Sequence, residues 1–158
     1  MSFKDQSFAT RFSAMGDEAE QIFEAWAAST DLKFVRYGLN RPPIAMHKLP
    51  ARLRYTPDYL TSGHLIEVQG FGQDQICKLK IDKWMSLHYW NTVHPVNLFI
   101  WDRSNRRYAI VKLAQFDSLL AEGNATIGQF PEGHGYLAVD ARPLFEHAEQ
   151  VGEIDADS

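Results

Sequence analysis

The chain has 158 residues, 45% hydrophobic and 13% aromatic, which is about one domain's worth and ample for a packed core. No apolar run approaches the roughly 20 residues that cross a membrane, and Met1 to Gln6 lacks the charged and apolar regions of a secretory signal. The single cysteine, Cys77, excludes a disulfide framework and a multi-cysteine zinc site and fits a reducing cytoplasm, while a net charge of −4 argues mildly against nucleic acid as a partner.

Residues 1–14 are polar with scattered phenylalanines and read as a loose arm or a short helix. From Met15 the pattern turns helical. Met15, Ala19, Ile22, Phe23 and Trp26 predict one buried stripe, ending near Ser29-Thr30-Asp31. Gly16 and Glu20 lie one turn apart beside it, which sets Glu20 at the margin of the core. Leu32 to Tyr37 reads as a strand closed by Gly38. Leu39 to Pro50, proline-rich and basic, reads as a loop, either contacting DNA or simply connecting elements.

Arg52–Leu60 and Leu65–Gln69 read as the two strands of a β-hairpin around the loop Thr61-Ser62-Gly63-His64. Pairing Leu60 with Leu65 makes Tyr59 face Ile66 and Asp58 face Glu67. Opposed side chains on antiparallel strands stand about 4.5–5.5 Å apart at Cβ, and like charges there repel. A divalent metal is the natural compensation, since Mg²⁺ takes one or two carboxylates with water and phosphate oxygens. Gln69 shares the face of Glu67. The bland alternative is a solvated hairpin face. Two details speak against it: Pro57 precedes Asp58, as at a strand edge, and Glu67 interrupts the apolar run Leu65-Ile66-Glu67-Val68, where a carboxylate is costly without a partner.

Gly70-Phe71-Gly72 is expected to break the strand in a close-approach turn. Ile76 to about Thr92 reads as a second helix, with Leu79, Trp84, Leu87 and Trp90 among its apolar residues. Val96 to Trp101 has the look of a central strand. Tyr108 to Leu113 reads as another strand and Ala114 to Glu122 as a short helix. Residues 123–135 read as a glycine-rich loop, Tyr136 to Val139 as a short strand and Arg142 to Gln150 as a short helix. The acidic tail reads as disordered.

Charge is unevenly spread. Lys33, Arg36, Arg41, Lys48, Arg52 and Arg54 fall in a stretch with no acid, and Lys78, Lys80 and Lys83 follow the hairpin. Arg36, Arg41, Lys48, Arg52, Arg54, Lys78, Lys80 and Lys83 are the candidate DNA contacts, since a locally basic stretch can hold phosphate on an acidic protein. Arg103, Arg106, Arg107 and Lys112 form a third group. His47, His64, His88, His94, His134 and His147 are scattered, without the one-turn pairing of a helical zinc motif. No local motif makes Cys77 a nucleophile.

Pro57-Asp58 followed by Glu67-Val68-Gln69 resembles the signature of the PD-(D/E)XK nuclease superfamily, with Gln69 where the superfamily usually has lysine. Some restriction-type members are similar in ending Glu-x-Gln. Gly16-Asp17-Glu18-Ala19-Glu20 is similar to the glycine and glutamate on the first helix of archaeal-type Holliday-junction resolvases. The resemblance covers about residues 15–113, leaving 114–158 as an extension of one domain spanning 1–158. It implies an α/β, restriction-endonuclease-like fold: a central mixed sheet flanked by helices in the order helix, three strands, helix, strand. It implies a metal-dependent DNA endonuclease, junction-resolving and dimeric, with Glu20, Asp58, Glu67 and Gln69 at the catalytic centre. Asp58 and Glu67 would hold Mg²⁺ or Mn²⁺, joined by the Val68 carbonyl and by Glu20. Gln69 is uncharged, so Lys78 or Lys80 is the candidate to supply the missing charge. A restriction, repair or phage nuclease on other DNA, and a nuclease-fold protein that only binds, are the alternatives.

Overall fold

The run Val96–Asp102 is buried at every position, as a strand covered on both faces must be. The computed structural model describes residues 8–39 and 43–155, with side chains from residue 15 onward. Its elements are helix α1 (Phe8–Ser29), strand β1 (Phe34–Arg36), a 3-10 turn (Met46–Lys48), helix α2 (Ala51–Arg54), strands β2 (Tyr59–Thr61), β3 (Leu65–Phe71) and β4 (Ile76–Lys80), helix α3 (Ile81–Asn91), strands β5 (Val96–Asp102) and β6 (Arg107–Lys112), helix α4 (Leu113–Ala121), strands β7 (Ala125–Gln129) and β8 (Gly135–Asp140), helix α5 (Ala141–Glu146) and strand β9 (Gln150–Glu153).

The main sheet is mixed, in the order β1-β2-β3-β5-β6-β9. Only β3 and β5 run parallel; the other neighbours are antiparallel. A parallel pair needs a crossover, and β4 with α3 supplies it. The strand β4 also forms a small antiparallel sheet, β4-β8-β7.

Strand alternation sends successive side chains to opposite faces, so the two sides of the main sheet can be read off β3 and β5. On one side Ala19, Phe23 and Ala27 of α1 pack on Tyr59, Ile66, Val68, Phe99 and Trp101. On the other, Leu65, Phe71, Leu98 and Ile100 meet Leu87 of α3, Phe116 of α4, Leu144 of α5 and the small sheet. Burying each such large side chain contributes about 1.5–3 kcal/mol. The mixed sheet flanked by helices is the architecture expected, and the order α1, β1, β2, β3, α3, β5 follows the expected order with β4 inserted.

The hairpin register is as predicted: Tyr59 pairs with Ile66 and Leu60 with Leu65. The first strand is much shorter than predicted. Residues 51–54 form a single helical turn, and Arg54 donates to the carbonyls of Met46, His47 and Leu49. Ile76–Lys80 is a strand with alternating burial, not the start of a helix. Residues 125–129 within the predicted loop form β7, and Gln150–Glu153 in the acidic tail pairs with β6 as β9. Helix α1 begins earlier than Met15, at Phe8.

Two glycines are set by close approach. Gly70 lies inside β3 rather than ending it, and a Cβ there would stand 3.1 Å from the Met15 carbonyl oxygen of α1. A Cβ at Gly38 would stand 2.7 Å from the Thr56 carbonyl and 2.9 Å from that of Pro57, closer than any side chain tolerates.

Candidate active site

In β3, Glu67 and Gln69 alternate with Ile66 and Val68, so they leave on the α3 side of the sheet, away from α1. Glu67 is only 2% exposed. A carboxylate so buried requires a partner. Two are present: Lys83 Nζ, from the first turns of α3, lies 2.9 Å from Glu67 Oε1, and Gln69 Nε2 donates to the same oxygen at 3.4 Å.

Asp58 lies just before β2, where the carbonyls of Thr56 and Pro57 crowd Gly38. Its backbone oxygen accepts from the N–H groups of Tyr37 and Gly38. Its carboxylate Oδ2 accepts from the Val68 N–H at 2.9 Å. The Asp58 side chain thus continues the hairpin ladder where the β2 backbone has ended. Burial first, and the Glu67 carboxylate second, push the Asp58 carboxyl up to about 8; the Lys83 ammonium and the Val68 N–H pull the other way. Burial works against the charge on Lys83, but Glu67 and Asp58 outweigh it and hold the ammonium above the ordinary lysine range.

Glu20 reaches this pair only through an arginine. Arg36 Nη1 and Nη2 take both Glu20 oxygens, at 2.9 and 3.2 Å, and Nη2 stands 3.5 Å from Asp58 Oδ1. The same guanidinium donates to the Gly38 carbonyl and to the Tyr59 hydroxyl, which in turn donates to Glu24. Two fixed carboxylates and a bidentate fork give this group geometry as well as charge. Because α1 packs on the opposite face of the sheet, Glu20 belongs to this edge network, while Asp58, Glu67, Gln69 and Lys83 form the cluster proper.

A divalent cation suits part of this donor set. Burial first and the Glu67 charge second raise the Asp58 carboxyl, and a cation between the two groups would offset both. In an extended strand a residue's N–H and C=O leave on the same side, so the Val68 carbonyl shares the edge on which Asp58 sits. Among the described residues, no group of three His, Cys, Asp or Glu side chains gathers around one point; Arg36 occupies the approach from Glu20.

The candidate DNA contacts separate into distinct roles. Arg36 and Lys83 are internal partners of the carboxylates. Arg54 clamps the preceding loop. Lys78 and Lys80 lie on the small sheet, over the rings of Tyr136 and Phe130, and Lys80 also stands 3.7 Å from Glu132. Lys48 and Arg52 are exposed on the surface. Arg41 lies outside the described residues. In the third basic group, Arg103 pairs with Glu18, Arg107 with Asp102 and Lys112 with Glu149. Cys77 is fully buried, and burial, with Asp74 second, pushes its thiol up to about 12, which removes it as a nucleophile at neutral pH.

Lys83, a candidate from sequence for reaching either the site or DNA, is an ion-pair partner of Glu67 in the structure. Its signal is the start of α3: beginning the helix at Ile81 puts Lys83 in the first turn, beside β3. A cleft of about 370 Å³ beside Trp26, His64 and Phe99, and another of about 600 Å³ beside Arg107, Arg142 and Phe145, are not lined by Asp58, Glu67 or Lys83.

No protein-family model matches the chain, and no curated protein matches it. Among solved structures, D212, a nuclease from a fusselovirus, is similar with a TM-score of 0.48 and 10% sequence identity over 86% of each chain. No helix of the described residues is long and apolar enough to cross a membrane.

Proposed function

We propose that the protein is a DNA endonuclease that hydrolyses phosphodiester bonds with Mg²⁺ or Mn²⁺ as cofactor. The observation that carries this reading is the set of buried Glu67 with the half-buried Asp58 and Lys83, at the end of the hairpin where the motif resemblance puts a nuclease centre. In hydrolysis a water oxygen bonds to phosphorus and a P–O ester bond breaks; the products are a phosphomonoester and an alcohol that takes up a proton. A divalent ion held by Asp58, Glu67 and the Val68 carbonyl would offset charge on the phosphate and lower the pKa of water. Lys83 supplies the fixed positive charge that Gln69 lacks and, through its 2.9 Å ion pair, holds the Glu67 carboxylate in place. Gln69 orients the Glu67 carboxylate through its amide. Arg36 locks Asp58 to Glu20, so Glu20 positions the centre rather than reacting.

The Gly16–Glu20 resemblance supports branched DNA, four-way junctions above all, as the substrate, with a two-fold dimer as the working form. The test is cleavage of labelled four-way junction, splayed duplex and linear duplex with Mg²⁺ or Mn²⁺. Nicking that disappears in Asp58→Asn and Lys83→Met supports the reading. Absence of cutting and of Mn²⁺ binding in the wild type sinks it.

A further inference from the structure

We infer that the cleft on the α1 face of the main sheet is a pocket for a nucleobase, read by the side-chain amide of Asn97. This goes beyond the hydrolase reading and does not rest on it, because Glu67 and Gln69 leave the opposite face of the sheet.

Strand register places the amide. Asn97 of β5 pairs with Ile66 of β3 on one side and with Lys112 of β6 on the other. It alternates in step with Phe99 and Trp101, so its side chain leaves toward α1. There it lines a cleft of about 370 Å³, within the range of about 300–1,000 Å³ that small-molecule sites occupy. Phe23, Trp26, Ile66, Phe99 and Ile110 give the cleft apolar walls. The walls are held in place. Phe99 stacks on Tyr108 with ring centroids 5.3 Å apart, and Trp26 Nε1 donates to the hydroxyl of the same tyrosine at 3.0 Å.

The other polar groups around the cleft are engaged. Thr61 Oγ1 donates to the His64 carbonyl at 2.8 Å and accepts from the His64 N–H at 3.0 Å. Gln150 Nε2 donates to the Tyr108 hydroxyl at 3.2 Å. Lys112 Nζ stands 3.5 Å from Glu149 Oε1. Asn97 differs. It is 9% exposed, and no described group donates to its side-chain carbonyl or accepts from its NH₂. A buried amide with neither bond made is costly, and an apolar residue of similar shape would avoid that cost. A ligand that completes both bonds gives the amide its purpose.

The amide also sets the chemistry of the occupant. It holds a donor beside an acceptor in one plane. Its complement is a flat edge with an acceptor beside a donor, as adenine presents with a ring nitrogen and its amino group. Aromatic and apolar walls suit the faces of such a ring, as in pockets that take up an unstacked base. Charge favours a neutral ring. Besides His64, the charged side chains lining the cleft are Lys112 and Glu149, which are of opposite sign and paired with each other.

The test is an NMR titration of the isotope-labelled chain with adenosine and with purine riboside, which lacks only the exocyclic amino group. Adenosine is expected to shift the Asn97 side-chain amide signals and to bind about 3- to 10-fold tighter than purine riboside. Asn97→Leu is expected to weaken adenosine binding about 10-fold or more, with a denaturation midpoint equal to or above that of wild type, since no bond within the chain is lost. An amide with a structural role would lower the midpoint instead and would overturn the inference. So would equal affinity for the two nucleosides, adenosine binding that Asn97→Leu leaves unchanged, or no shift at Asn97 with either adenosine or an oligodeoxyadenylate strand. The nucleoside comparison uses the wild-type chain alone, so it decides even where the variant fails to fold. Oligodeoxyadenylate and an abasic strand of equal length separate the two sources of the base. Asn97-dependent binding of the adenylate strand, tighter than that of adenosine, supports a base turned out of a nucleic acid. Adenosine binding without strand binding supports a free nucleoside in the same pocket.

Discussion

Lys83 Nζ lies 2.9 Å from Glu67 Oε1, so a helix supplies the cation beside this strand carboxylate. The contact joins α3 to the centre of β3, on the face away from α1. It makes the crossover helix a member of the polar cluster rather than only an apolar cover for the sheet.

Removing this cation leaves Glu67 buried and uncompensated. Breaking a buried pair from one side costs about 3–5 kcal/mol. Lys83 is itself 26% exposed, so the expected loss for Lys83→Met is about 3 kcal/mol, the low end. Urea denaturation checks it. Adding Glu67→Gln to that variant is expected to recover most of the loss, because no charge then remains to be paired. A double mutant no more stable than Lys83→Met would show that the lysine acts through packing.

Asp102 predicts the acid limb of stability. It is fully buried, and burial alone would raise its pKa. Hydrogen bonds from Asn105, Arg107 and Gln75 together outweigh burial and hold the carboxyl below the usual aspartate range. A depressed native pKa means that the unfolded chain binds the proton more readily. The stabilisation is therefore present above the ordinary value of 3.8 and is lost as pH falls through the lower native one. Denaturation midpoints should fall steeply below about pH 4 in the wild type. Asp102→Asn should be less stable at neutral pH and flatter across that range.

The register around Thr61–His64 was legible because loop length and alternation agree: Leu60 and Leu65 must pair if Tyr59 and Ile66 are to share the α1 face. The long stripe of α1 and the apolar run of β5 were legible for the same reason. Short segments were not. Arg52-Leu53-Arg54-Tyr55 alternates like a strand, yet it is one helical turn kept by Pro50 and by Arg54 reaching back to three carbonyls. Ile76–Lys80 alternates too, but its apolar residues run on into α3, and the period changes at Ile81 without a glycine or proline to mark it. β9 hides in an acidic tail because its pairing with β6 is made by backbone, which composition does not record. At the site, the pairing of Tyr59 with Ile66 and Leu60 with Leu65 followed from register, but the Asp58 carboxylate accepting from the Val68 N–H did not. The separation of Glu20 by Arg36 did not, since it depends on which face α1 covers.

Gly38 should resist substitution more than its exposed surroundings suggest. An alanine Cβ would push on the Thr56 and Pro57 carbonyls at distances below 3 Å, and both groups are backbone that cannot swing aside. Gly38→Ala is expected to cost about 1–3 kcal/mol, as overpacking does. It should also weaken any Asp58-dependent metal affinity, because Asp58 follows those two residues. Gly63, in the hairpin loop, has nothing within 4 Å of the place a Cβ would take; Gly63→Ala should stay within about 1 kcal/mol of wild type. Thermal denaturation of both variants separates crowding from a general intolerance of the hairpin.

The positive charge beside Glu67 has two possible seats, one on the strand and one on the helix. Restoring the usual motif lysine, Gln69→Lys, looks like a repair from sequence. In this structure Gln69 Nε2 and Lys83 Nζ already share Glu67 Oε1. A second ammonium would meet the first around one buried carboxylate, with repulsion strengthened by the low local dielectric. Gln69→Lys alone is therefore expected to be destabilised by about 1–3 kcal/mol, an excess buried charge, and to gain no activity. Moving the charge rather than adding it reverses the outcome. Gln69→Lys combined with Lys83→Met keeps one cation on Glu67 and is expected to lie within about 1 kcal/mol of wild type. Urea denaturation reads the first effect and nicking of branched DNA the second. If the single variant is more active than wild type and the double variant is not, Lys83 is a structural partner of Glu67 and the catalytic charge belongs on the strand. If the double variant alone regains wild-type stability and cutting, the helix and strand positions are interchangeable seats for one ammonium.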